Sequence, residues 1–240
     1  MAGHSKWKNI QNRKGAQDAK RGKIFQKMSK EIFVAAKAGG PDIESNAALR
    51  LAIEKSKSAN VPNDVIKRAI DKATGAGADE NYEEVIYEGY GPGGVAVLVY
   101  CLTDNRNRTA PNIRVAFNKN GGSLGESGSV GYMFERKGRL FIERTDDTDE
   151  DTVMMAALEA GADDITSTEE GFEIVTQPSD FLTVKEALEA EGIVFISAEI
   201  EMVPSMYTEL NGDNLEKFER MIDMLEDDDD VQDVYHNAAE

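Results

Sequence analysis

The densest chemistry in this sequence is cationic. Lys20, Lys23, Lys27, Lys30 and Lys37 recur through KRGKIFQKMSKEIFVAAKA (20–38). On an α-helix, at about 100° per residue, they share an arc of about 100°. Ile24, Phe25, Met28, Ile32, Phe33 and Ala36 take the opposite side, and Glu31 is the only acid in the stretch. Surface helices ordinarily mix signs, because acid–base pairs at i,i+4 stabilise slightly and like charges repel. A lysine stripe held outward is therefore a surface for a polyanion; the plainer account is a solvated helix face. Upstream, Trp7 stands between Lys6 and Lys8, with Arg13 and Lys14 following. An indole stacks on an unpaired base while neighbouring cations meet phosphate, or it docks the segment onto its own domain. Arg106, Arg108 and Arg114 form a second basic cluster. The candidate nucleic-acid-binding residues are Lys6, Trp7, Lys8, Arg13, Lys14, Lys20, Arg21, Lys23, Lys27, Lys30, Arg106, Arg108 and Arg114.

Other spacings imitate chemistry without completing it. Residues 89–94, GYGPGG, spell G-x-G-x-x-G. A dinucleotide site needs those glycines to open a helix, whereas the strand-like VAVLVYCL (95–102) follows, so the motif reads as a hairpin loop. Asp147, Asp149 and Asp151 begin like a calcium loop, but Thr152 stands where glycine is required and Leu158 where glutamate is. Asp227–Asp230 lies just past a helix C-terminus, where the dipole does not favour acids, and reads as a solvated turn. Cys101 sits in an apolar run and reads as a small core residue. Ser127 and Ser129 have no histidine near them in sequence, and His4 and His236 lie at opposite ends. No catalytic group, metal set or cofactor motif emerges, and an enzyme is not expected.

The elements that must position the cations follow from composition and periodicity. The chain has 240 residues, 40% hydrophobic and 30% charged, enough for packed cores. It has no run of about 18 apolar residues to span a membrane. No apolar signal region precedes the basic start, so a cytoplasmic protein is expected, as a monomer. The net charge of −18 is divided unevenly: residues 1–72 carry 16 basic and 7 acidic side chains, and the remainder 11 and 38. One end is built to meet a polyanion while the body keeps the protein soluble. Helices are predicted over about 20–38, 41–58 and 63–74, a small bundle behind a basic tail, with a linker at 75–81. Beyond it the pattern is α+β: strands at 84–88 and 95–102, a helix at 110–120 capped by Thr109, and a strand at 130–134. Residues 134–204 then alternate β-α-β-β-α-β, the order of a ferredoxin-like unit, with a capping box from Thr148 to Asp151. A helix at 212–226 and a strand at 231–235 close the chain. Three domains are expected: residues 1–78, a basic tail and helical bundle; 79–133 plus 205–240, a middle α+β domain; and 134–204, an inserted ferredoxin-like domain.

Three stretches carry a family resemblance: MAGHSKWKNIQNRKGAQDAKRGKIFQKMSKEI at the start, EVIYEGYGPGGVAVLVYCLTDNRNRTAPNIRVAF, and NKNGGSLGESGSVGYMFERKG. They resemble the YebC family over essentially the whole chain. The resemblance implies three domains, one helical and two α+β. It also implies one of two roles. Members are described as DNA-binding transcriptional regulators. Relatives also include ribosome-associated factors that relieve stalling at consecutive prolines and the mitochondrial translational activator of cytochrome oxidase subunit one. The expected partner is nucleic acid, with ribosomal RNA ahead of double-stranded DNA. A three-helix bundle suits the DNA reading, with a helix-turn-helix position at 59–62, but the third helix offers only Asn63, Lys67 and Arg68 for base contact. A small-molecule sensor or enzyme is a distant third reading, since a ferredoxin-like fold excludes neither.

Overall fold

The structure is a computed structural model in which residues 20–239 are described. It is mixed α+β, as the patterning predicts: seven α-helices and two antiparallel four-stranded sheets among the described residues. They form two compact units, one of residues 20–134 with 204–239 and one of residues 135–203. Among the described residues no helix is long and apolar enough to cross a membrane.

The larger unit opens with α1 (Arg21–Gly39), α2 (Ala47–Ser58) and α3 (Asn63–Thr74). Ile32, Phe33, Leu49, Ile53, Val61 and Ile66 form their shared core. The second helix begins at Ala47, six residues later than its composition predicts, because Asn46 caps it and is itself buried. The Asn46 side chain accepts from the Leu49 amide at 3.0 Å and donates to the carbonyls of Ala35 and Gly40, each at 2.9 Å. One amide thus ends α1 and starts α2.

The sheet of this unit has the order β3-β1-β2-β8, with β1 Glu83–Tyr90, β2 Ala96–Thr103, β3 Ser123–Leu124 and β8 Val231–His236. Strands β1 and β2 pair antiparallel from Glu83↔Thr103 to Tyr90↔Ala96. The glycine motif is the turn between them, with Gly93 and Gly94 at φ of 72° and 82°, and no helix follows it. Strand β2 lies inside the sheet and is almost wholly buried, which explains its near-continuous apolar run. Helices α4 (Arg106–Lys119) and α7 (Gly212–Asp227) contribute Ile113, Phe117, Phe218, Met221 and Leu225 to the core beneath it. Helix α4 starts four residues earlier than predicted. Asn105 is its cap, accepting from the Arg108 amide at 3.2 Å, while Thr109 is buried in the first turn.

The smaller unit runs β4 (Phe134–Glu143), α5 (Glu150–Ala160), β5 (Asp164–Ser167), β6 (Gly171–Thr176), α6 (Phe181–Ala190) and β7 (Ser197–Pro204). Its strand order, β5-β6-β4-β7, is that of a split β-α-β arrangement. Leu140, Ile142, Val153, Phe172, Ile174, Val184 and Leu188 are buried in it. Two local expectations change. The strand predicted at 130–134 is instead mostly a 3-10 turn, Gly131–Met133, and the one predicted at 139–144 begins earlier, at Phe134. Helix α5 is capped by Asp149 rather than Thr148: its carboxylate accepts from the Asp151 amide at 3.2 Å and from the Thr152 hydroxyl at 2.8 Å. That use accounts for one of the three aspartates of the calcium-like spacing.

Candidate nucleic-acid interface

The lysine face of α1 is turned largely onto the acidic turn that follows α7, rather than out to solvent. Lys23 Nζ lies 3.0 Å from the Asp227 carboxylate and donates to the Asp227 carbonyl at 2.8 Å. Lys20 Nζ is 3.9 Å from the same carboxylate. Lys27 donates to the Glu226 carbonyl at 2.5 Å. Lys30 donates to the carbonyls of Asp229 at 2.8 Å and Leu102 at 3.2 Å, and lies over the Tyr82 ring. Lys37 reaches Asn81 Oδ1 at 2.8 Å. The cause is visible in α7. Its last turn is acidic, an arrangement that its own dipole disfavours, and its terminal carbonyls need donors. Lysines from another helix supply both the charge and the donors. Burial pushes the Lys27 and Lys30 amines below their ordinary range, against the pull of the surrounding acids.

Behind this face the contacts are part-buried. Lys55, from α2, lies 2.8 Å from Glu31 Oε1 and 2.9 Å from Asp233 Oδ2. Burial opposes its charge, but Asp233 and Glu31 outweigh it and raise the amine well above its usual value. Gln232 donates to the Lys27 carbonyl at 2.8 Å and to Glu31 at 3.1 Å. Asp230, predicted as part of a solvated turn, is only 4% exposed. Its carboxylate receives Arg108 through Nε at 3.0 Å and Nη2 at 2.6 Å, and the Thr109 hydroxyl at 2.8 Å. Burial would raise its carboxyl, but Arg108 and Thr109 hold it below the ordinary range.

The basic candidates therefore divide. Lys30 and Arg108 line an open cleft of about 520 Å³ with Tyr82, Asn112 and the carboxylates of Asp104, Asp227, Asp228, Asp229 and Asp230. Two cations against five carboxylates do not make a phosphate pocket. Arg106 pairs with Glu83 at 3.0 Å, and Arg108 also pairs with Asp104 at 2.8 Å. Lys20 and Lys23 keep 43% and 41% of their side-chain surface exposed, and Arg21 is exposed beside the Phe25 ring. Arg114 is exposed in the middle of α4. Lys6, Trp7, Lys8, Arg13 and Lys14 lie outside the described residues.

One organising residue gave no signal in the sequence. Glu88, in β1, is buried and receives three backbone amides of the loop that follows β3. These are Gly128 at 2.5 Å on one oxygen, and Val130 at 3.2 Å and Gly131 at 2.6 Å on the other. Burial alone would raise the carboxyl, but the three N–H groups outweigh it and hold it below the ordinary carboxylate range. Strand β3 itself approaches β1 so closely that a Cβ on Gly89 would stand 2.6 Å from the Ser123 carbonyl. Glycine is needed there for proximity rather than for a ligand. The sequence marks a glycine-rich loop at 123–129 but not the carboxylate that holds it.

Comparison with known proteins places this geometry. A family model described as the TACO1/YebC protein N-terminal domain matches residues 5–76, and one described as the TACO1/YebC second and third domain matches residues 82–238. A probable transcriptional regulatory protein of a Geobacillus species (strain WCH70) is 64% identical, covering 100% of this chain and 98% of the relative. One from Enterococcus faecalis is 61% identical, covering 99% of each. The crystal structure of a conserved hypothetical protein from Aquifex aeolicus superposes with a TM-score of 0.78 at 44% identity, covering 92% of this chain and 91% of that one. With family models matching in succession and relatives above 60% identity spanning its length, the chain belongs to the TACO1/YebC family, whose members here bear the name of probable transcriptional regulatory proteins.

Proposed function

We propose that this protein is a non-enzymatic regulator of gene expression that works on the ribosome. In this reading it binds ribosomal RNA and relieves stalling at consecutive prolines. The observation that carries the reading is the charge partition: 16 basic against 7 acidic side chains in residues 1–72, within a chain of net charge −18. Such a protein meets a polyanion with one end and is held off it elsewhere. The contact uses the open end of the basic region, Lys20, Arg21 and Lys23, continuous in sequence with Lys6, Trp7, Lys8, Arg13 and Lys14. Lys27 and Lys30 are committed to carbonyls of the acidic turn and to β2, so they support the surface rather than form it. The action at prolines rests on the family resemblance, and the mechanism is positional, by placement beside the RNA.

The second reading, a DNA-binding transcriptional regulator, is favoured by the relatives' names. Against it, the exposed face of α3 mixes signs. Arg68 is paired with Asp64 at 2.9 Å and Lys72 with Glu80 at 2.9 Å, leaving little for a major groove.

The test is co-sedimentation with ribosomes across a salt series, beside a variant carrying Lys6→Glu, Lys8→Glu, Lys20→Glu and Arg21→Glu. Six phosphate contacts on single-stranded RNA give a log–log slope of roughly −4, and four lost contacts flatten it by about 3. Retention that is steep in salt and lost in the variant supports the reading. Failure of the wild type to sediment at low salt, with tight binding to a promoter duplex, overturns it in favour of transcription.

A further inference from the structure

Between Asp104 and Glu126 the sequence holds no acidic residue at all. Acids are 45 of 240 residues, about one in five, so these 21 positions would ordinarily carry about four. The gap coincides with one element, α4, and the glycine turn after it. Its buried side is given by Thr109, Ile113, Ala116 and Phe117. On the exposed side, helical spacing runs Asn107, Pro111, Val115 and Asn118 along the middle, with Arg114 on one flank and Lys119 on the other. Unlike Arg106 and Arg108, neither flanking cation has an ion pair among the described residues. The face is too poor in apolar surface for a protein partner, with Val115, 43% exposed, as its one large apolar side chain.

The far end of α4 is equally bare. Asn120 ends the helix and Gly121 follows at φ 75°. A Cβ on Gly121 would lie 3.9 Å from Pro92 of the β1–β2 turn and 3.6 Å from the Lys217 side chain. A Cβ on Gly94 would meet nothing within 4 Å. Lys217 is itself paired with Asp213 at 2.6 Å, so the free cations of this surface are those of α4, which carries no carboxylate of its own.

We infer that the exposed face of α4, flanked by Arg114 and Lys119, is a second RNA-contact surface, taking the sugar–phosphate backbone on its cations and base or ribose edges on Asn107 and Asn118. The inference rests on the RNA-binding reading above and adds a site separate from the N-terminal cations. The chemistry matches the need: phosphate is met most readily by cations with no internal competitor, and amide side chains both donate to and accept from base and ribose groups.

The experiment uses the full chain with two probes, purified ribosomes and a fluorescein-labelled 20-nucleotide oligo(U), titrated from 50 to 300 mM salt. The variant is Arg114→Glu with Lys119→Glu, and the control is Arg114→Lys with Lys119→Arg. Both positions are exposed, so circular dichroism and thermal unfolding should match wild type. At 150 mM salt two lost phosphate contacts on a single strand amount to about a 15-fold weakening, with the slope flattened by about 1.4. We expect at least a tenfold loss in the reversal variant and near wild-type binding in the control. Wild-type and reversal proteins binding equally would overturn the α4 surface while leaving the RNA reading in place. A wild type that binds neither probe would overturn both.

Discussion

Replacing Glu88 by glutamine tests whether one carboxylate orders the glycine-rich loop at 125–131. The exchange is nearly isosteric, so any effect comes from charge and hydrogen bonding. Three amides converge on this side chain, at 2.5, 2.6 and 3.2 Å. A glutamine keeps one acceptor oxygen, which can serve Val130 and Gly131, but turns an NH₂ toward the Gly128 amide. Hydrogen bonds to a charged group contribute about 1.5–3 kcal/mol and neutral ones about 0.5–1.5, while an orphaned buried donor costs about 1–3. Two weakened bonds and one orphan give a loss of about 3 kcal/mol. For a unit of this size that is a fall in Tm of roughly 6–12 °C. Thermal unfolding followed by circular dichroism gives the magnitude, and amide exchange at Gly128, Val130 and Gly131 gives the location. The pH dependence has a definite sign. Because the folded carboxyl lies below its ordinary value, its stabilisation is present above the unfolded value of about 4.3 and fades as pH falls through the folded one. The gap between wild type and variant should therefore narrow below about pH 4. A change under about 0.5 kcal/mol with unaltered exchange protection would refute the reasoning.

Two further outcomes follow from the same geometry. Lys55→Met strands Glu31 and Asp233 against each other in a part-buried site, and should cost about 2–3 kcal/mol by denaturant unfolding, between an exposed and a fully buried pair. Removing both acids as well, with Glu31→Met and Asp233→Met, should recover most of it, and no recovery would show that the triad is not what stabilises the contact. The Cys101 thiol is buried in β2 and pushed up to about 12 by that burial and by Asp228 and Asp230. Native protein should resist iodoacetamide at pH 8 and react once unfolded, as mass spectrometry would read. Prompt labelling of the native protein would contradict that account.

Elements defined by their own periodicity were readable in the sequence. Helix α3 falls at residues 63–74, where Val65, Ile66, Ala69 and Ile70 at helical spacing and Gly75 as the stop place it. The β-α-β-β-α-β order is legible because each element there carries its own period and turn residues. What escaped was long-range. Asn46 caps α2 and so moves its start, because it also ties down the end of α1, a contact eleven residues away. Thr109 looks like a cap residue, yet its hydroxyl is spent on Asp230, 121 residues distant. The lysine stripe obeys its period, but periodicity reports only that one face is polar. It cannot report that the polar face is met by another polar surface. The stretch from 105 to 125, which has no acid in a chain this acidic, coincides with α4 and the turn after it.

The contacts of α1 with the acidic turn are graded along the helix, and the grading decides what each lysine can do. At Lys23 the pair with Asp227 leaves 41% and 59% of the two side chains exposed. Pairs so exposed contribute about 0–1 kcal/mol and are screened by salt, so a phosphate can replace the carboxylate at little cost. Two turns further on, Lys30 is held by carbonyls from two elements and covered by Tyr82. Drawing it away would leave those carbonyls without their donor, at about 1–3 kcal/mol for each one buried. Beyond it, Lys55 is enclosed between Glu31 and Asp233. The helix therefore changes character from Arg21 toward Glu31, from exchangeable cations to fixed ones. A polyanion at its N-terminal end, as proposed above, would displace only the cheap contacts, while the part-buried ones keep α1 seated on the sheet. Reversing Lys27 or Lys30 would consequently disturb the seat as well as the surface, whereas Lys20 and Arg21 report on the surface alone.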